Sequence, residues 1–243
     1  MMPPLIVRIA LLLSCLVPCV QAETLRVVTE ETSFSYLRQG RVIGPATQVV
    51  EATLARAGLS DYRLGLYPWA RAYDMALSEP NVLIYLIART PEREGQFHWA
   101  GEILRIDYHL YRLPSREDIQ IAKLEQAKQY RIGALRGDVR YSYLQEEGFT
   151  KLVVTVSNAD SFKLLLNGQV DLVPMSEQGV RMFCTEAGLA DGCLERVLPL
   201  NTATSLYMAY SLQTDEDVVL RTQAAFEQLQ ADGTVARLMS EQR

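Results

Sequence analysis

Histidine is nearly absent from this chain, with only His98 and His109 in 243 residues. Two distant histidines leave little for imidazole acid–base chemistry, and neither stands at metal-ligand spacing from a cysteine. Cysteine is scarce as well, four in all, and Cys15 and Cys19 fall in an apolar leader. No excess of basic charge exists: 24 Lys and Arg face 29 Asp and Glu, a net charge of −5. That balance offers no general field to hold nucleic acid or an anionic membrane. No Gly-x-Ser-x-Gly elbow and no Gly-x-x-x-x-Gly-Lys loop occurs, so serine-hydrolase and phosphate-loop chemistry have no anchor. Low-complexity tracts, internal repeats and long flexible linkers are missing too. Beyond the leader the longest apolar run, Val82 to Ala88, has the length of a buried strand and falls short of a membrane span. What is present is an ordinary globular composition, 49% hydrophobic and 22% charged, which excludes disorder, collagen and coiled coil.

The first 22 residues carry one cation, Arg8, then an apolar stretch that ends at Val20-Gln21-Ala22. This reads as a cleaved secretory signal over 1–22. Leu12-Leu13-Ser14-Cys15 loosely resembles a lipobox, so lipidation at Cys15 stands as the alternative. Export places the mature chain, from Glu23, in the periplasm, where 23 cations face 29 acids and the net charge is −6. The remaining cysteines, Cys184 and Cys193, lie nine apart. In an oxidising compartment they are expected to form a local disulfide.

The mature chain alternates strand and helix patterns. Leu25–Thr29, Tyr62–Tyr67 and Asn81–Ala88 read as strands, with helical spacing over Ala46–Ala57 and Trp69–Leu77, and Gly101–Leu113 is strand-rich. A second unit follows, with strands at Tyr130–Leu135, Lys151–Thr155 and Val170–Val173 and helices opening at Gly137-Asp138 and Asn158. A helical pair, Val218–Leu229 and Thr234–Met239, closes the chain. Two α/β units in series imply two lobes, since 221 residues suffice for two domains of roughly 100 each.

Four ordered stretches are more specific: Arg89-Thr90-Pro91-Glu92-Arg93, Gly133-Ala-Leu-Arg-Gly137, Leu164 to Val173 with its Leu-Asn-Gly-x-x-Asp element, and Leu229 to Leu238. Together they make the chain resemble the family 3 periplasmic solute-binding proteins, the amino-acid-binding components of ABC importers, in divergent form. The resemblance implies a type II two-lobed α/β fold with a ligand cleft between lobes crossed twice by the chain. The implied division is 23–105 with 204–243 as lobe 1 and 106–203 as lobe 2. It also implies that Arg93, of Thr-x-x-Arg, grips a ligand carboxylate with its planar fork.

The departures shape the expected site. Leu86-Ile87-Ala88 stands where such proteins usually have small hydroxyl residues, and Gly137-Asp138-Val139 replaces a Gly-Thr-Thr loop. Asp138 is read first as a helix N-cap and second as a ligand contact. Ser176 stands where an aspartate usually receives the ligand amine, with Glu177 beside it as a substitute. Glu31 aligns with a usual stacking aromatic, near Tyr36, and is a candidate for the missing anion. Pro68 places Trp69 at a helix entry as a stacking wall, with Arg71 as a second anionic anchor. Convergence of Arg71, Arg89 and Arg93 would favour an acidic ligand. The expectation is a monomeric, non-catalytic binder of a small amino acid or carboxylate that serves an ABC permease or a sensor, with no cofactor, metal or nucleic acid. The alternatives are a signalling or adaptor protein of the same fold that binds weakly, and a cyclohexadienyl-dehydratase-like enzyme using a carboxyl acid.

Overall fold

The computed structural model describes residues 24–200 and 204–240; the leader with Cys15 and Cys19 lies outside the described residues. Five strands form the first sheet: β1 (Leu25–Thr29), β4 (Tyr62–Leu66), β5 (Val82–Ala88), β6 (Phe97–Ile106) and β12 (Thr204–Ser211). Their order is β4-β1-β5-β12-β6, with β1 parallel to β4 and β5, and β12 antiparallel to β5 and β6. Every residue of β5 is buried, as a central strand covered on both faces requires. A hairpin, β2 (Tyr36–Arg38) and β3 (Arg41–Ile43), precedes helix α1 (Pro45–Arg56).

Helix α1 starts with proline at its first turn and turns Val49, Val50 and Leu54 inward. Helix α2 (Trp69–Ser78) buries Trp69, Ala72, Met75 and Ala76, one stripe at helical spacing. The closing helices α7 (Glu216–Ala231) and α8 (Thr234–Ser240) return to this lobe. There α7 lies so close to β6 that a Cβ at Gly101 would collide with the Phe226 ring.

The second lobe holds β7 (His109–Arg112), α3 (Leu124–Ala127), β8 (Ile132–Leu135), α4 (Val139–Glu146), β9 (Leu152–Thr155), α5 (Asn158–Leu166), β10 (Val173–Met175), α6 (Glu177–Glu186) and β11 (Glu195–Pro199). Strands β8 and β9 pair in parallel, β7 pairs antiparallel with β10 and β11, and a bridge from Ile132 to Leu172 joins the two sets. Cys184, in the last turn of α6, forms a disulfide with Cys193 in the loop that follows. The chain leaves the first sheet after Ile106, and the returning segment is tied to the outgoing one by Leu200 N–H donating to the Tyr108 carbonyl at 2.9 Å.

Some expected elements differ. The strand-rich stretch Gly101–Leu113 is two strands broken at 107–108, where the chain passes from the first sheet to that of the second lobe. The strand expected at Val170–Val173 lies at Val173–Met175, because Asp171 is engaged by arginines instead of extending a ladder. The hairpin, α6, β11 and β12 had no counterpart in the sequence reading. No described helix is long and apolar enough to cross a membrane.

Asp171 is the knot of the second lobe. Its carboxylate accepts the Arg131 backbone N–H and side-chain Nε and the Arg116 Nη1, all within 3.0 Å. The Arg131 hydrogen bonds, partly opposed by burial, hold its pKa well below the usual carboxylate range. Charged hydrogen bonds of this kind are worth more than neutral ones. Asp171→Asn is expected to lower unfolding stability at pH 7 by about 2 kcal/mol. The deficit should shrink as pH falls below about 4, where the unfolded chain takes up the proton. Urea unfolding of both proteins at pH 7 and pH 3 reads this directly, and a pH-independent difference would refute it.

Candidate functional site

The lobes meet where the ends of β1 and β5 face the N-termini of α4, α5 and α6. They enclose a cavity of about 60 Å³, room for a few waters. Helix N-termini make such a place favourable to anions, and the chain itself places acidic side chains there. Asp138 caps α4, accepting the Arg140 backbone N–H at 2.8 Å and pairing with the Arg140 Nε at 2.5 Å. Glu30, the residue directly after β1, lines the cavity and meets Asn158 Nδ2 at 3.5 Å.

Arg140 is buried and anchored on every side. It donates to the Pro174 carbonyl at 2.9 Å and to Asn158 Oδ1 at 3.0 Å, and its guanidinium lies 4.6 Å from the Tyr108 ring centroid. Glu30 as a whole residue is half-buried, but its carboxyl end is enclosed by this network. Burial, reinforced by the Asp138 charge and opposed by Arg140, pushes its pKa up to about 8. Glu30 therefore carries a proton at neutral pH, beside the Asp138–Arg140 pair.

Across the cleft, Arg93 donates to the Ala88 carbonyl at 3.1 Å and to the Gly137 carbonyl at 2.9 Å. Trp69 Nε1 donates to the same Gly137 carbonyl at 3.0 Å. The guanidinium of Arg93 lies 5.4 Å from the Trp69 centroid and 4.9 Å from that of Tyr73, an arrangement that favours the cation electrostatically. Gly137 has φ +69°, a conformation that glycine adopts without penalty.

Leu86 completes the wall in an unusual way. Its φ is +62°, and it falls where the pairing of β5 with β12 slips by one residue. Such a bulge re-aims a side chain; here a buried leucine faces the cavity in a left-handed conformation that branched residues avoid.

No protein-family model matches the chain and no curated protein sequence matches it. Solved structures do. A histidine kinase sensor domain with similarity to periplasmic binding proteins aligns with a TM-score of 0.80 at 18% identity, covering 90% of this chain and 95% of that one. The chain has the periplasmic binding protein fold. The arginine-, lysine-, histidine-binding protein ArtJ of Geobacillus stearothermophilus shares this binding-protein fold at 15% identity and TM-score 0.77, over 89% of this chain and 93% of its own. The amino acid ABC transporter substrate-binding protein AbpA of Streptococcus pneumoniae, bound to L-arginine, aligns at 17% identity and TM-score 0.75, over 90% and 93%.

On this binding-protein fold, Arg93, Trp69, Glu31, Asp138 and Ser176 all line the one cavity. Asp138 and Ser176 are both helix N-caps, Ser176 Oγ accepting from Gly179 N–H at 3.1 Å. Arg71 and Tyr36 are not among its lining residues. Arg71 lies on the exposed face of α2, opposite the stripe that carries Trp69, and covers the Tyr67 ring at 5.2 Å. Tyr36 opens the β2–β3 hairpin and lines a separate outer groove with Pro45 and Gln48. Arg89 turns away to a bidentate pair with Glu94, so the three arginines do not converge. Glu177 points outward to Arg181 and does not replace the anion.

Glu30, Arg140, Asn158 and Tyr108 were missed by sequence reasoning. Glu30 had a usable signal, since it directly follows the end of a parallel strand, where open α/β sheets place ligands. Arg140 had none: an arginine in a first helical turn is ordinarily solvated.

Two outcomes follow from this geometry. Leu86→Gly should unfold later than Leu86→Ala by about 1 kcal/mol, reversing the usual order within a strand, because glycine relieves the left-handed conformation. Denaturant midpoints of the two variants decide it. For Glu30 the folded pKa is raised, so folded protein keeps a proton that the unfolded chain releases above pH 4.5. The wild-type melting temperature should therefore fall between about pH 5 and 8 more steeply than that of Glu30→Gln. Parallel slopes in calorimetry would remove the buried proton from the account.

Proposed function

We propose that this is an exported, monomeric binding protein that captures a free α-amino acid between its lobes and passes the event to an ABC importer. The carrying observation is an unbalanced pair. Among the described residues, Arg93 and Glu30 line the same cavity, and neither forms a salt bridge with an opposite charge, whereas Arg140 and Asp138 balance each other. A ligand that presents a carboxylate to Arg93 and an ammonium to Glu30 completes both. The ammonium draws the proton off Glu30, so capture couples to proton release near neutral pH.

Amino-acid binding by solved neighbours of the same fold supports this reading. The lobe division we adopt is 23–105 with 204–243 and 106–203, supported by the break between β6 and β7 and by the start of β12 at Thr204. We assign no catalytic role. The likeness to a histidine kinase sensor domain favours a second reading, in which the same capture informs a signalling partner instead of a permease.

A thermal-shift screen of free amino acids against the mature chain should give at least one saturable rise in melting temperature. Arg93→Ala should weaken that ligand about 10- to 100-fold and Arg93→Lys less, since lysine keeps the charge without the fork. Undiminished affinity in Arg93→Ala, read by calorimetry, would remove Arg93 from the site.

A further inference from the structure

Beside the inner cavity, and sharing part of its lining, runs a groove of about 340 Å³ between the lobes. Glu30, Glu31, Trp69, Asn158 and Phe183 line both spaces. The rest of the groove is largely apolar, walled by Leu66, Tyr67 and Pro68 on one lobe and by Val156 and Ala159 on the other, with Leu37 at its lip. Leu37 is 57% exposed and Val156 66% exposed. They are two of the most exposed large hydrophobics described, and they approach the groove from different lobes. The groove's charged lining consists of Glu30 and Glu31.

These observations extend the proposed amino-acid reading and rest on it. The inner cavity has room for a head group alone, so a side chain must leave it, and Glu30 stands where the two spaces join. We propose that the ligand is an α-amino acid with a large apolar or aromatic side chain, whose head group lies at Arg93 and Glu30 and whose side chain fills the outer groove. An acidic side chain would enter a groove whose ionisable lining is two acids, Glu30 and Glu31, and no cation, so it is disfavoured. An apolar side chain removes Leu37 and Val156 from water on both lobes at once, which ties side-chain size to lobe closure. Tyr67, Trp69 and Phe183 supply ring surfaces for an aromatic one.

The test is isothermal titration of the mature chain with phenylalanine, leucine, alanine, glutamate and arginine, repeated on the double variant Leu37→Ser/Val156→Ser. Phenylalanine or leucine is expected to bind at least about tenfold tighter than alanine. In the double variant that ratio should fall toward one. Alanine binding as tightly as phenylalanine, or glutamate or arginine binding tightest, overturns the groove assignment and leaves the amino-acid reading standing. A ratio that survives in the double variant also overturns the groove assignment. No binding of any amino acid by the unaltered protein overturns both.

Discussion

One carbonyl ties the two lobes to each other across the cleft. Gly137 offers its oxygen to Trp69 Nε1 and to Arg93 Nη2, both from the opposite lobe, at 3.0 and 2.9 Å. An acceptor with two lone pairs is thereby saturated by one neutral and one charged donor. Arg93 is in turn held by the Ala88 carbonyl at the end of β5, so the central strand of one sheet is linked through a single side chain to the loop after β8. A ligand carboxylate that engages Arg93 competes with a contact that already closes the cleft. Closure and occupancy are therefore drawn from the same few donors.

The charge arrangement has the same economy. Acidic and basic side chains from both lobes share the cleft, and two neutralise each other on α4, where Asp138 serves both as cap and as counter-ion for Arg140. Burying an ion pair costs desolvation that only complete hydrogen bonding offsets, and Arg140 meets that condition through Pro174 and Asn158. Glu30 feels Arg140 as well, but burial and the Asp138 charge outweigh that attraction and keep it protonated. That leaves the Arg93 cation and a protonated Glu30 facing one cavity, which in the proposed reading become a complementary pair when an ammonium takes the Glu30 proton.

Leu86 shows how the wall of the cleft departs from a simple strand. The slip in register against β12 turns a residue that would face a helix layer toward the cavity instead, at the cost of a left-handed backbone. The apolar wall it forms suits a site whose outer extension is also apolar.

Much of the fold was legible in the sequence because periodicity reports burial directly. The seven apolar residues of β5 and the Trp69-Ala72-Met75-Ala76 stripe can be read without a structure. Export and the Cys184–Cys193 pairing were likewise expected from composition and compartment, and the cysteines do pair in the fold. Arg93, Asp138 and Ser176 stand out through ordered motifs and Trp69 through its place after Pro68, and all four line the cavity. The assembly of the site was a different matter. Whether an arginine points into a cleft or lies along a helix face depends on which partner it meets across 40 or 60 residues of chain, and no local pattern encodes that. Tertiary structure therefore decided that Arg71 and Arg89 lie apart from Arg93, that Arg140 is spent on Asp138, and that Glu30 rather than Glu31 is the enclosed acid. Local spacing determines which face of an element is buried; only the packing of two lobes determines which charges are left without a partner between them.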